Sequence, residues 1–150
     1  MSILIMPDTA SPTPDRGVAF VVHGTPAPQG SKRAYVVGGR ARVVEDSKNS
    51  APWRDSVAAA AVEAMDGALP IEGPVEVTVT FLFVRPASVS ERARPLPSVR
   101  PDIDKLVRAV LDGLTAGGVY TDDSRVVDLH TRKRYGTVAR AEITVREVQQ

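Results

Sequence analysis

Between Asp102 and Asp123 the chain carries five aspartates and no glutamate, cysteine or histidine. Asp102 and Asp104 are spaced D-x-D where a helical pattern begins, Asp112 lies two turns further on, and Asp122 and Asp123 follow the next turn. A helix start and a turn that converge short carboxylates present hard oxygen donors, the kind that Mg²⁺ prefers to imidazole or thiolate. Such carboxylates repel one another until a cation neutralises them. A divalent cation held there polarises a phosphodiester oxygen, generates a hydroxide nucleophile and stabilises a leaving 3′-oxygen. The flanks are basic, with Arg100 before the cluster and Arg125, Arg132, Lys133 and Arg134 after it. Acid within and base around it is the charge layout of metal-assisted cleavage of a polyanion.

Each aspartate also has a plainer role. Asp102 suits a helix N-cap, and Asp122-Asp123 suit a turn. The grouping carries more than its members. Asp104, Arg108 and Asp112 fall at i, i+4 and i+8, off the apolar stripe and on one polar face. Asp102 and Asp104 stand at the positive end of the helix, where the dipole favours carboxylates and bound anions. The two histidines form no site: His23 ends one expected strand and His130 sits in another. Trp53, with apolar residues at i+4 and i+8, reads as a core anchor.

The elements that must position these residues are legible from periodicity. Ile103, Leu106, Val107, Val110, Leu111 and Leu114 form one helical apolar stripe, closed by Gly117-Gly118. Upstream, 85–101 is an irregular basic loop with four arginines against one glutamate, and loops of that length are usually functional or disordered. Val75, Val77, Val79, Phe81 and Phe83 alternate with other residues and mark the plainest strand. A helix over 50–66 is built on Trp53, Val57, Ala60, Ala61, Ala64 and Met65, with N-cap candidates over 46–50. A first strand covers 18–23, a loop 24–31, and a hairpin 34–44 turns at Gly38-Gly39. Two closing strands, 126–130 and 141–145, are joined around Gly136. The order β, hairpin, α, β, α, β, β predicts a single α+β domain: a mixed or antiparallel sheet packed with two main helices.

With 150 residues and 43% apolar composition, one globular domain over 17–150 is expected, behind a loose tail at 1–16 rich in Pro, Ser and Thr. A net charge of +1 leaves nucleic-acid attraction to local patches. The absence of cysteine excludes disulfides and thiolate metal sites. No run approaches the roughly 20 apolar residues that span a bilayer. The expectation is a soluble, cytoplasmic protein with no membrane partner.

Arg100-Pro-Asp-Ile-Asp-Lys-Leu-Val-Arg-Ala-Val-Leu-Asp-Gly-Leu, followed by Gly118-Val-Tyr-Thr-Asp-Asp-Ser-Arg-Val-Val-Asp128, resembles the core of the RusA family of Holliday junction resolvases. These are small endonucleases common in phages and prophages. The family pattern is roughly PD-x-DN-x-x-K-x-x-x-D-x-L, a turn, then DD-x-x-V and a following lysine. The resemblance runs over 18–145 and is most marked over 100–133. Gly24-Thr-Pro-Ala-Pro-Gln-Gly-Ser-Lys-Arg is similar to the family's entry loop, and Gly73-Pro-Val-Glu-Val to the start of its central strand. The resemblance implies a RusA-like fold and a symmetric homodimer. It also implies paired nicks in four-way junction DNA, in recombination and repair, with Mg²⁺ as cofactor and Mn²⁺ as a substitute.

Carried over by position, the family's metal ligands fall on Asp102, Asp104 and Asp123, with Asp122 the weaker of its pair. The family's catalytic lysine is Arg108 here, and its asparagine is Lys105. An arginine keeps the charge but holds its protons at working pH, so Arg108 suits electrostatic stabilisation and not proton transfer. Lys105, about 100° around the helix from Asp104, is the alternative cation. Lys32, Arg33, Arg92, Arg94, Lys105 and Lys133 are the expected DNA contacts. A flap- or fork-selective nuclease and a catalytically weak junction-binding protein are the competing readings.

Overall fold

A computed structural model describes residues 16–29, 32–45 and 49–149, with the hairpin strands described by their backbone path. The tail expected at 1–16 therefore lies outside the described residues but for Arg16, as do Gly30, Ser31 and positions 46–48. The elements are β1 (Gly17–His23), β2 (Lys32–Val37), β3 (Arg40–Glu45), α1 (Ser50–Met65), β4 (Val75–Phe83), α2 (Ile103–Ala116), a 3₁₀ turn (Asp123–Arg125), β5 (Val126–Tyr135) and β6 (Arg140–Glu147). The class is α+β.

The four-stranded sheet runs β1-β6-β4-β5, and β2 with β3 makes a separate two-stranded sheet. β4 is antiparallel to β6 and parallel to β5. A parallel pair needs a crossover, and α2 is that crossover. The strand with the plainest alternation lies inside the sheet: Val75, Val77, Val79 and Phe81 are fully buried, the last three in register with Val145, Ile143 and Ala141 of β6. Glu76, Thr78 and Thr80 on the alternate face are half-buried, so the helices cover one face only.

Two expected strands differ from their sequence pattern. β5 and β6 are joined through Gly136, but β4 lies between them. β5 also continues to Tyr135, through Arg132, Lys133 and Arg134. An edge strand tolerates charged residues that an interior strand would not.

α1 presents Trp53, Val57, Ala61 and Met65 to the core at i, i+4, i+8 and i+12; α2 presents Leu106, Val107, Val110 and Leu114. Their backbones approach closely at Gly113 and Gly117. A Cβ at Gly113 would lie 2.7 Å from Val57 Cβ, and one at Gly117 would lie 2.7 Å from Ala61 Cβ. Ile103, the first member of the predicted stripe, leaves the core and stands 36% exposed at the head of α2. After α2, Gly118 takes the left-handed conformation, with φ 76°. Tyr120 is buried and its hydroxyl donates to the Leu111 carbonyl at 2.9 Å, which fixes the turn carrying Asp122 and Asp123.

Candidate active site

The start of α2 is unusual for an aspartate N-terminus. Asp102 holds the N-cap position with extended backbone (φ −70°, ψ 141°), yet its side chain makes no capping hydrogen bond. Asp104 is the second helical residue. Both carboxylates are exposed, and among the described residues neither accepts a hydrogen bond nor joins an ion pair. They are left unspent at the positive end of the helix dipole.

They face a cleft of about 760 Å³ between the end of the basic loop, the head of α2 and the second half of β5. Arg100, Arg132, Lys133 and Arg134 line the same cleft. Acid and base therefore share one concavity, the layout expected from the charge pattern.

The loop forming one wall is tied down from two sides. Lys133 Nζ donates to the Val99 carbonyl at 2.6 Å and to the Pro101 carbonyl at 2.8 Å. Arg85 donates to the carbonyls of Arg94 (3.2 Å) and Pro95 (3.3 Å), and its guanidinium sits 4.4 Å from the Tyr135 ring centroid. Lys133, expected to meet DNA, thus directs two of its three donors at backbone just ahead of Asp102. Arg92 is exposed on the loop. Arg94 is half-buried and lines a side cavity of about 160 Å³ that shares Pro97, Val99, Arg100 and Lys133 with the cleft.

The second aspartate group separates into two roles. Asp122 caps the 3₁₀ turn by accepting from the Ser124 N–H at 2.9 Å. That hydrogen bonding, with a smaller contribution from the Arg125 charge, holds its carboxyl below the usual carboxylate range. Asp123 opens the turn, exposed, with no partner among the described residues. Burial pushes the Tyr120 phenol well up, and the negative charges of Asp123, Asp112 and Asp122 push the same way. Asp123 does not line the 760 Å³ cleft. Among the described residues no three Asp, Glu, His or Cys side chains stand together as a metal-holding group. The expected trio is therefore divided, with Asp102 and Asp104 on the cleft and Asp123 at the turn, which packs against α2. In donor chemistry the pair on the cleft fits a hard divalent cation: oxygen only, ionisable, solvent-facing and not engaged in capping.

Arg108 is exposed, one turn beyond Asp104, and has no partner among the described residues. Lys105 is half-buried and lines a pocket of about 450 Å³ with Pro28, Arg100, Pro101 and Asp102. The Lys105 carbonyl accepts the Gln29 N–H at 2.9 Å, which draws the loop after β1 onto the head of α2. Lys32 begins β2 three residues later. At roughly 3.5 Å per residue, its backbone lies within about 11 Å of Gln29. The side chains of Lys32 and Arg33 lie outside the described residues.

The histidines stay clear of this site. His23 ends β1, and His130 lies 3.5 Å from Glu76 on the open sheet face, where Arg146 also pairs with Glu76 at 3.0 Å. Trp53 is a core residue, 5% exposed. Thr131 also lines the cleft, with the aspartates and Arg132, and was not among the residues expected there. A threonine in a strand gives no signal of its own, because it is a good strand former wherever it occurs.

Comparison with known proteins adds two findings. The model of the family described as endodeoxyribonuclease RusA matches residues 23–146. The uncharacterized protein YqaN of Bacillus subtilis (strain 168) is 33% identical over 140 residues, spanning 87% of this chain and 96% of the relative.

Proposed function

This chain is a member of the RusA endodeoxyribonuclease family, and on that premise we propose that it resolves four-way DNA junctions as a Mg²⁺-dependent homodimer. The proposed place of action is the cytoplasm; among the described residues no helix is long and apolar enough to cross a membrane. The observation that carries the reading is the pair of unspent carboxylates, Asp102 and Asp104, on a cleft walled by four cationic side chains.

In this reading Asp102 and Asp104, with Asp123 from the adjoining turn, hold the cation. A bound divalent ion supplies a Lewis acid for the phosphodiester and an activated water. The other roles belong to the chain itself. Arg100, Arg132 and Arg134 set the backbone of a strand in the cleft. Arg92, Arg94 and Lys105 extend the basic track around it, and Lys32 and Arg33 are proposed as further DNA contacts on residue type alone. Arg108 stands one turn along the same helix face, where its planar fork suits the paired oxygens of a phosphate. A junction has near two-fold symmetry, and paired nicks need two such sites related by a C2 axis.

The test is a nicking assay on mobile and fixed four-way junctions, beside flap, fork and duplex controls, with Mg²⁺ and with Mn²⁺. Asp102→Asn, Asp104→Asn and Asp123→Asn are each expected to abolish cleavage and to leave junction binding intact. Asp122→Asn is expected to cleave, because Asp122 serves the turn. Wild-type nicking by any of the first three removes that residue from the site. Preference for flaps or forks assigns the site to the related structure-selective activity, and binding without nicking assigns the chain to a junction-binding role.

A further inference from the structure

Thr131 lies opposite Val79 in the β4–β5 register, in the row of the sheet that faces the helices. The β4 members of that row, Val77, Val79 and Phe81, are fully buried. A valine at 131 would serve the strand equally well. The chain places a hydroxyl there instead, and Thr131 Oγ1 is buried with no hydrogen-bond partner among the described residues. Buried polar atoms without partners are few in folded proteins, and each calls for a reason.

The reason lies beside it. Thr131 lines the same cleft as Asp102 and Asp104, whose carboxylates have no partner among the described residues. The two deficits are complementary: the hydroxyl has a hydrogen to give, and an ionised carboxylate only accepts. Oγ1 sits below the cleft surface, out of solvent's reach. A group that is to meet it must come from the cleft wall and turn inward, which a side chain can do and a DNA strand lying above cannot. Carboxylates that ligate a cation are held in turn by hydrogen bonds that fix their orientation.

We infer that Thr131 is a positioning residue for the cation site, its hydroxyl donating to a carboxylate oxygen of the Asp102–Asp104 pair when a divalent cation gathers them. The inference rests on the reading that this cleft holds such a cation. It assigns Thr131 an effect on metal affinity first and on nicking only through it. Removal of an outer hydrogen bond of this kind typically lowers metal affinity about 10–100-fold.

The experiment compares wild type, Thr131→Val and Thr131→Ser in the full chain. Three quantities are read: Mn²⁺ affinity by titration of the free-ion electron paramagnetic resonance signal, melting temperature in metal-free buffer, and junction nicking against metal concentration. T131V is expected to melt at or above the wild-type temperature, because it loses an unsatisfied group. Its Mn²⁺ Kd should rise about 10–100-fold, with nicking restored by excess metal, while T131S stays near wild type. An unchanged Kd in T131V overturns the inference, whether nicking falls or holds. A clear fall in metal-free melting temperature overturns it too, since the hydroxyl would then have a structural partner. If wild type itself binds no Mn²⁺ and nicks nothing, the nuclease reading falls and takes this inference with it. Wild-type binding beside an unaltered T131V sinks this inference alone.

Discussion

Lys133 offers a choice between two roles that leave different experimental traces. Replacing it with methionine keeps the apolar stem and removes every donor. The lost contacts are the bonds to Val99 (2.6 Å) and Pro101 (2.8 Å), both within three residues of Asp102. A hydrogen bond from a charged donor contributes about 1.5–3 kcal/mol when sheltered. Lys133 is only half-buried, so solvent competes for the ammonium and the pair together is worth about 2 kcal/mol. At about 1.4 kcal/mol per tenfold, the ratio of held to released loop ahead of Asp102 falls roughly 30-fold. Nicking should fall by about 10–30-fold, since a small misplacement of a reacting group is costly. A phosphate contact would behave differently. Its loss would flatten the log–log salt dependence of junction binding by about 0.9. The assay measures single-turnover nicking in K133M, and the salt slope of junction affinity in an Asp104→Asn background with and without K133M. A slower rate with an unchanged slope is expected. A slope reduced by about 0.9 with an unchanged rate would refute the clip and return Lys133 to the DNA contacts.

Two further outcomes follow from the geometry. Gly113→Ala pushes a Cβ to 2.7 Å from Val57 Cβ and Cγ1 and 3.1 Å from the Arg54 carbonyl; overpacking of about 1–3 kcal/mol outweighs the helix-propensity gain of about 1 kcal/mol, so thermal denaturation should show a melting temperature lowered by a few degrees. Arg108→Ala should slow nicking about a hundredfold, the scale of losing one preorganised charge stabiliser, while Arg108→Lys keeps most activity and Lys105→Ala does less harm; the reverse ranking would place the catalytic cation at Lys105.

The parts of the fold that could be read from the chain are those whose information is local. α2 announces itself because its stripe, its leading aspartates and its closing glycines agree on one helix. β4 does so because alternation over nine residues admits one period. What could not be read depends on partners distant in sequence. β5 looks finished at His130, because three consecutive cations break the apolar alternation and only its place at the sheet edge makes them acceptable. That β4 separates β5 from β6 is likewise a fact of pairing, and adjacency in sequence suggests the opposite. Ile103 fits the stripe by spacing but stands at its open end, so it meets the cleft and not the core.

The site divides along the same line. Residue type and spacing suffice to nominate acidic donors and a basic surround, because cation chemistry depends on which atoms are present. They do not reveal which donors are already spent. Asp102 and Asp122 occupy equivalent N-cap positions, one ahead of α2 and one ahead of the 3₁₀ turn, and by pattern both are caps. Only Asp122 caps: Ser124 takes its carboxylate, while Asp102 keeps its own free at the cleft. The same test separates the cations. Lys133 and Arg132 are neighbours of like charge on one cleft, but Lys133 is engaged by the Val99 and Pro101 carbonyls, while Arg132, exposed on the alternate row of the edge strand, makes no such bond among the described residues. Strand alternation also sets Thr131 two residues before Lys133 in the same row, on the cleft that the aspartates line, where its unmatched hydroxyl is better explained by a carboxylate yet to arrive than by the core around it.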